Sequence, residues 1–371
     1  MKKIIFLGAG FANLSIIKGL SKDTLSKAKF ILINNTSYHA KVSELHKIAA
    51  KEAEKYIKVE LKDIVPSEIE IVQDSVVTVK ENKVICKNGE YDFDEVYVGL
   101  GANKNTFGIA GLDETLEIGD YENALKTQQT VFSNLQNDDE VYKNIVICGA
   151  GFSGVELCGS LAVVCKEKGI KANIYIVEAM DEILPMYSKN LAKIARNYLE
   201  NLGVKVLSSH KIIKKDGDRL YLNDENTYID SKNIIFTAGV KGNAVMAESV
   251  FAQKNNRVMV DEYLRAPEHK NCYILGDCSV VMNGERPFAP TAQIACKQGE
   301  YLAKSLTARL NNLEFNEKFV YHDKGSVCSI SEKYSVAFVF GKELSGFLAN
   351  KLKRFTEIKW QYKLFGLKGI L

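Results

Sequence analysis

A chain of 371 residues, 46% hydrophobic and 26% charged, is long enough for roughly two to three domains with sizeable cores. A formal charge of +3 is too small to draw nucleic acid by overall charge, and no nucleic-acid partner is expected. The eight cysteines contain no C-x-x-C and no Cys/His pair at zinc spacing, so most read as small buried apolar residues, and no metal site is expected. The start, Met1 to Leu7, is basic then apolar, but the run is too short for a signal peptide and ends in glycines. Asn144 to Cys165 carries only Glu156 as a charge, and its glycines fit a buried strand-turn-helix better than a membrane span.

Lys3 to Leu7 reads as a first strand, followed by the turn Gly8-Ala9-Gly10-Phe11-Ala12-Asn13 and a helix to about Leu20. This is a dinucleotide turn whose third glycine is replaced by Asn13. The next strand, Phe30 to Ile33, ends at Asn34, an amide where an acid is usual and a weaker acceptor for a ribose hydroxyl. An N-terminal strand-turn-helix of this kind is where an FAD domain normally begins. Ser43 to Tyr56 is expected to be helical. Short β segments follow between Ile57 and Gly101, with Asn88-Gly89 marking a hairpin and Val96 to Gly101 a buried strand. Asp120 to Asn137 reads as a connecting helix.

The stretch Ile145 to Glu156 is a fuller version of the same device: a buried strand, then Gly149, Gly151 and Gly154, then a helix. Gly149 makes the tight turn, Gly151 lets backbone approach a pyrophosphate, and Gly154 lets helix and strand pack closely. The helix N-terminus offers free N–H groups and a positive dipole end to the phosphates. The following strand ends at Glu178, placed to accept from an adenosine ribose and to repel a 2′-phosphate, which favours NADH over NADPH. A helix is expected over Lys189 to Asn201 and a buried strand over Asn233 to Gly239, ending Thr-Ala-Gly. The later strand Cys272 to Leu275 ends Gly276-Asp277, whose carboxylate either meets a flavin's ribityl or phosphate region or caps the next turn. Two nucleotide units and a return segment imply an α/β chain with two Rossmann-like dinucleotide-binding domains, one inserted in the other.

Taken in order, Gly8-Ala9-Gly10, Ser37-Tyr38-His39, Gly149 to Leu157, Val177-Glu178-Ala179, Thr237 to Lys241, Val260 to Leu264, Gly276-Asp277-Cys278 and Pro290 to Gly299 resemble the two-dinucleotide-binding-domain flavoproteins. Within them, the chain is most similar to the membrane-associated type II NADH dehydrogenases, the NADH:quinone oxidoreductases, over about residues 3 to 310. The resemblance implies FAD on Gly8, Gly10, Asn13 and Asn34, with Gly276, Asp277, Thr291 and Ala292 closing the flavin site. It implies NADH on Gly149, Gly151, Gly154, Glu178 and Gly239, and quinone near Gln293 and Lys297. Pro290-Thr291 reads as a helix start with Thr291 as N-cap, and Gln293 and Lys297 share a helix face; a plain packing helix is the alternative. Domain limits of 1–115 with 265–317 for FAD, 116–264 for NADH and 318–371 for a C-terminal α+β membrane or dimer region follow. Ser160 stands where relatives often carry a glutamate, and Lys297 replaces the first glutamine of a terminal pair. His39 is read as a hydrogen-bonded structural residue, with acid-base chemistry as the alternative.

The tail, Lys351 to Leu371, carries five Lys and one Arg against one Glu and holds the only tryptophan, Trp360. Basic residues mixed with Trp, Phe and Leu suit a membrane surface, so the chain is expected to be a peripheral protein on the inner face of the cytoplasmic membrane. Docking of the tail on its own domain or on a second subunit, as in a homodimer, is the other reading. Two competing functions are a sulfide:quinone oxidoreductase, for which Cys158, Cys296 and Cys328 are the sulfur-carrying candidates, and a non-enzymatic flavin redox sensor.

Overall fold

The structure, a computed structural model, describes residues 1–52 and 56–369. Strand β1 (Lys3–Leu7) is apolar because both faces are covered, and Ile4 to Leu7 are fully buried. Helix α1 (Phe11–Gly19), β2 (Lys29–Asn34), α2 (Leu45–Ala49), β3 (Ile69–Gln73) and β4 (Glu95–Val98) complete the first run. The second unit comprises β5 (Leu116–Glu117), α3 (Tyr121–Asn134), β6 (Asn144–Cys148), α4 (Phe152–Glu167), β7 (Asn173–Val177), α5 (Lys189–Asn201), β8 (Lys205–Leu207) and β9 (Asn233–Phe236). The chain then returns through β10 (Arg265–Ala266), β11 (His269–Ile274) and α6 (Ala292–Leu310). It ends in the antiparallel strands β12 (Gly325–Ser331), β13 (Tyr334–Val339) and β14 (Lys342–Gly346), and α7 (Phe347–Phe365).

The six-stranded sheet has the order β10-β11-β4-β1-β2-β3, parallel apart from β10. The five-stranded sheet, β5-β9-β6-β7-β8, is wholly parallel. Each reverses its winding beside its first nucleotide strand, between β1 and β4 and between β6 and β9. Ligands of open parallel sheets bind in the crevice at this point, outside the carboxyl ends of the strands. Residues Ala102–Lys104 leave the end of β4 and pair antiparallel with Val240–Gly242, which leave the end of β9. This two-stranded ribbon joins the two crevices.

The expected helix from Ser43 to Tyr56 is shorter. A turn of 3-10 helix at Val42–Glu44 leads into α2, and the Ala53 to Lys55 part of that expectation lies outside the described residues. Lys51 is left-handed, and the Lys51 and Glu52 N–H groups donate back to Ile48 O and Lys47 O at 3.0 and 2.9 Å. That is the helix-ending motif usually built on glycine, and lysine gave no sequence sign of it.

The tail reading changes as well. Helix α7 buries Ala349, Lys353, Trp360 and Leu364 along one face, while Ile370 and Leu371 lie outside the described residues. Trp360 is therefore inside the protein, with its ring 4.6 Å from that of Phe11 and its N–H donating to His39 Nε2 at 3.2 Å. His39 Nδ1 lies 2.8 Å from Ala9 O, so the ring is a neutral tautomer that donates on one side and accepts on the other. The opposite face of α7 exposes Phe347, Leu348, Phe355, Ile358 and Tyr362 among Lys351, Arg354 and Lys359. Among the described residues no helix is long and apolar enough to cross a membrane.

Burial holds both His39 and His46 at a pKa of about 4, below the ordinary 6.5. The unfolded chain takes up these protons first, so stability is complete above 6.5 and declines as pH falls toward about 4. Thermal melts across that window should show a falling midpoint. A melting temperature that stays flat over the window would contradict this.

Candidate functional site

The second unit's turn is built as its glycines demand. Gly149 is left-handed at φ +104°, and a Cβ on it would stand 2.5 Å from Ala238 Cα. A Cβ on Gly154 would lie 1.9 Å from Gly149 O, so only glycine lets α4 sit this close to the strand. Gly151 faces open space and is the N-cap of α4 with no side-chain cap, leaving the first N–H groups of the helix available to an anion. Glu178 Oε2 accepts the Ala150 N–H at 2.8 Å and Oε1 accepts the Met180 N–H at 3.0 Å. Each carboxylate oxygen keeps a lone pair for a ribose hydroxyl.

The first unit repeats this geometry with different residues. Gly8 is left-handed, and a Cβ there would lie 2.4 Å from Gly99 O. Gly10 is the N-cap of α1, again without a side-chain cap. Asn34 Oδ1 accepts the Ala9 N–H at 2.8 Å, the contact Glu178 makes to Ala150, while its amide group donates to Thr36. Asn13 is fully buried and its amide donates to Leu7 O and Gly8 O at 2.8 and 2.9 Å. In the second unit the matching carbonyls, Cys148 O and Gly149 O, are served by the Thr237 hydroxyl, at 3.0 Å each. The pair Gly154 and Thr237 has thus become Asn13 and Gly99. The loss of the third glycine is compensated: the helix-side residue gained the hydrogen-bonding group and the strand-side residue lost it.

The return segment closes the first crevice. Gly276–Cys278 forms a single 3-10 turn after β11, and burial pushes the Asp277 carboxyl above the usual carboxylate range against the pull of Arg257. Arg257 has two buried guanidinium nitrogens, Nε and Nη2, with no partner among the described residues. Thr291 caps α6 as expected, accepting the Ile294 N–H at 3.3 Å, and Gln293 is half-buried in the first turn. Lys297 pairs with Glu300 at 2.6 Å, and Glu300 also pairs with Lys363 of α7 at 2.9 Å. Gln298, fully buried, anchors the helix to the turn by accepting the Gly276 N–H at 2.7 Å and donating to Ser279 Oγ at 2.9 Å. A crevice with free helix N–H groups, room at Gly10, a half-buried carboxylate and two unpartnered guanidinium nitrogens fits an extended polar group such as FAD.

Sequence reasoning missed a buried ionic cluster behind these turns. Glu156 of α4 accepts from Lys353 of α7 at 2.7 Å and from the Ser329 N–H of β12 at 3.0 Å, and lies 3.5 Å from His46. Burial alone would raise the Glu156 carboxyl, but Lys353 and His46 outweigh it and hold it below the usual range. Nothing local predicts these partners, which lie far apart along the chain. The cysteines follow expectation in character: burial pushes the thiols of Cys158, Cys296 and Cys328 up, so they are protonated and poor carriers of sulfur. Ser160 is buried within α4.

The family described as pyridine nucleotide-disulphide oxidoreductase matches residues 2–299. The type II NADH:quinone oxidoreductase of Staphylococcus saprophyticus is 32% identical, over 99% of this chain and 96% of the relative. The protein of the same name from Staphylococcus haemolyticus is 31% identical over the same shares. Among solved structures, NDH2 from Plasmodium falciparum in complex with NADH superposes with a TM-score of 0.85 at 18% identity, covering 98% of this chain and 96% of that one. The sulfide:quinone oxidoreductase of Aquifex aeolicus gives 0.82 at 17% identity, covering 100% and 92%. At such identities these structures speak for the fold alone, whereas the curated relatives match in sequence from end to end. The chain belongs to the pyridine nucleotide-disulphide oxidoreductase family and, within it, to the type II NADH:quinone oxidoreductases.

Proposed function

We propose that this chain is an FAD-dependent enzyme that oxidises NADH and reduces a quinone without a redox-active disulfide. The observation that carries the reading is the pair of uncapped helix N-termini, at Gly10 and Gly151, each at the switch point of its own parallel sheet. Bound FAD supplies the electron-carrying chemistry, and the protein supplies binding, orientation and electrostatics. Residues 1–115 and 265–317 hold it through Gly8, Gly10, Asn13, Asn34, Gly276 and Asp277, with Thr291 and Ala292 setting the N-terminus of α6 against it. Residues 116–264 hold NADH through Gly149, Gly151, Gly154, Glu178 and Gly239. Gln293 and Lys297, on the first turns of α6, flank the quinone, which suits their shared helix face.

The sulfide alternative is disfavoured by the protonated thiols and has no observation of its own. The exposed face of α7, apolar residues interleaved with three cations, supports attachment to the surface of a bilayer carrying anionic lipid. Residues 318–371 form this attachment region, and the inner face of the cytoplasmic membrane is where such lipid and quinone meet.

Three outcomes test these assignments. Anaerobic NADH should bleach the flavin of the purified yellow protein, and a quinone analogue should restore the colour; a colourless protein that fails to take up FAD would refute the proposal. Glu178→Arg should move the preference toward NADPH by roughly tenfold or more, by removing the charge that repels a 2′-phosphate. Unchanged selectivity would remove Glu178 from the ribose site. Deleting the tail would strip Lys353 and Trp360 from the core, so surface substitutions are the cleaner probe. Phe355→Ser with Ile358→Ser should weaken co-sedimentation with anionic liposomes while NADH still bleaches the flavin. Undiminished liposome binding would remove this face from membrane attachment, and a halved solution mass would assign it to the protein's own subunit contacts.

A further inference from the structure

Phe107 is unexplained by folding. Its side of the chain forms a tight turn in which the Ile109 N–H donates to Thr106 O at 3.0 Å, with both Phe107 and Gly108 left-handed, at φ +55° and +74°. Turns of that hand favour Asn, Asp or Gly at the first central position, and a bulky side chain there is strained. Burial does not compensate, because Phe107 is 63% exposed. Phe340 is also left-handed and exposed, but it occupies the hairpin between β13 and β14, away from both switch points.

The turn is nonetheless held firmly. The Asn105 N–H donates to Gly239 O at 3.0 Å, the Phe107 N–H to Asn105 Oδ1 at 3.1 Å, and Ile109 packs on the second unit's core. The ring occupies the space of the side chain Gly239 lacks: a Cβ there would lie 2.6 and 2.7 Å from Phe107 Cζ and Cε2. Gly239 follows β9, on one side of the switch point, and Glu178 follows β7, on the other. A dinucleotide with its adenosine ribose at Glu178 and its pyrophosphate at Gly149 to Gly151 must run its second nucleoside out over the end of β9. That end is where the exposed ring stands, on the segment that crosses from the first crevice to the second.

We infer that Phe107 is a binding residue for the nicotinamide half of NADH, its exposed ring forming an apolar wall of the crevice beyond Gly239. The inference rests on the assignment of NADH to the second unit. The ring would confine the nicotinamide nucleoside to one orientation, and the adenosine half would not meet it.

The test uses the purified, FAD-loaded enzyme and two variants, Phe107→Ala and Phe107→Tyr. The NADH concentration giving half-maximal anaerobic flavin bleaching should rise roughly 2- to 10-fold in Phe107→Ala, the range expected for one lost aromatic contact. Phe107→Tyr should restore it. The inhibition constant of ADP, which carries only the adenosine half, should stay within about twofold in both variants, as should the quinone KM and the FAD content. An unchanged NADH requirement in Phe107→Ala overturns the inference, and so does an ADP constant that rises in step, which would mark a collapsed crevice. Wild-type enzyme that shows no saturable bleaching by NADH would instead refute the underlying assignment, and the inference with it.

Discussion

The buried pair of Glu156 and Lys353 holds together the parts on which the site depends. Glu156 is on the helix whose N-terminus faces the dinucleotide crevice, Lys353 is on the last helix, Ser329 belongs to the C-terminal sheet, and His46 lies in the first unit. One carboxylate thus meets both nucleotide units and the C-terminal segment. Removing one partner of such a pair strands a buried charge and costs about 3–5 kcal/mol, whereas apolar residues in both places can be neutral. The pair therefore says less about total stability than about arrangement: it is satisfied only when all these segments are in place together.

A second constraint sets how the two crevices face one another. The strand at each switch point, β4 or β9, continues into one strand of the antiparallel ribbon formed by Ala102–Lys104 and Val240–Gly242. Hydrogen bonds between these strands fix the carboxyl edges of the two sheets relative to each other. A Cβ on Gly242 would stand 1.7 Å from Asn256 O, so the ribbon itself is clamped closely against the following loop. Hydride transfer tolerates little error in the approach of donor to acceptor, and two separately folded crevices joined by flexible linkers would not provide that accuracy. The ribbon provides it with backbone alone.

Much of this was legible in the sequence because it is local. Glycine spacing, the apolar runs of β1 and β6, the Lys189–Asn201 helix and the Thr291 cap each depend on neighbours within a few residues. The helix after Val42 is shorter than its sequence suggests because Lys51 adopts a conformation usually left to glycine, which composition cannot announce. The setting of Trp360 is hidden from the sequence for a different reason. Aromatic and basic residues in one helix suit a membrane surface and a docked face equally, and the two separate only when His39 and Phe11, more than three hundred residues earlier, are known to lie beneath it. The ionic cluster around Glu156 was invisible for the same cause.

The exchange of Gly154 and Thr237 for Asn13 and Gly99 has a consequence for how the two units could have diverged. Neither half of the swap is harmless alone. Giving the first unit its missing glycine would leave the carbonyls of Leu7 and Gly8 without their side-chain donor, and giving Gly99 a side chain first would crowd Asn13 Nδ2, 3.1 Å from that Cβ. The two positions are coupled, so a path between the two forms passes through a less stable intermediate whichever residue changes first. A nucleotide fingerprint judged one position at a time will therefore score this first unit as decayed, although Asn13 serves the same two carbonyls that Thr237 serves in the second.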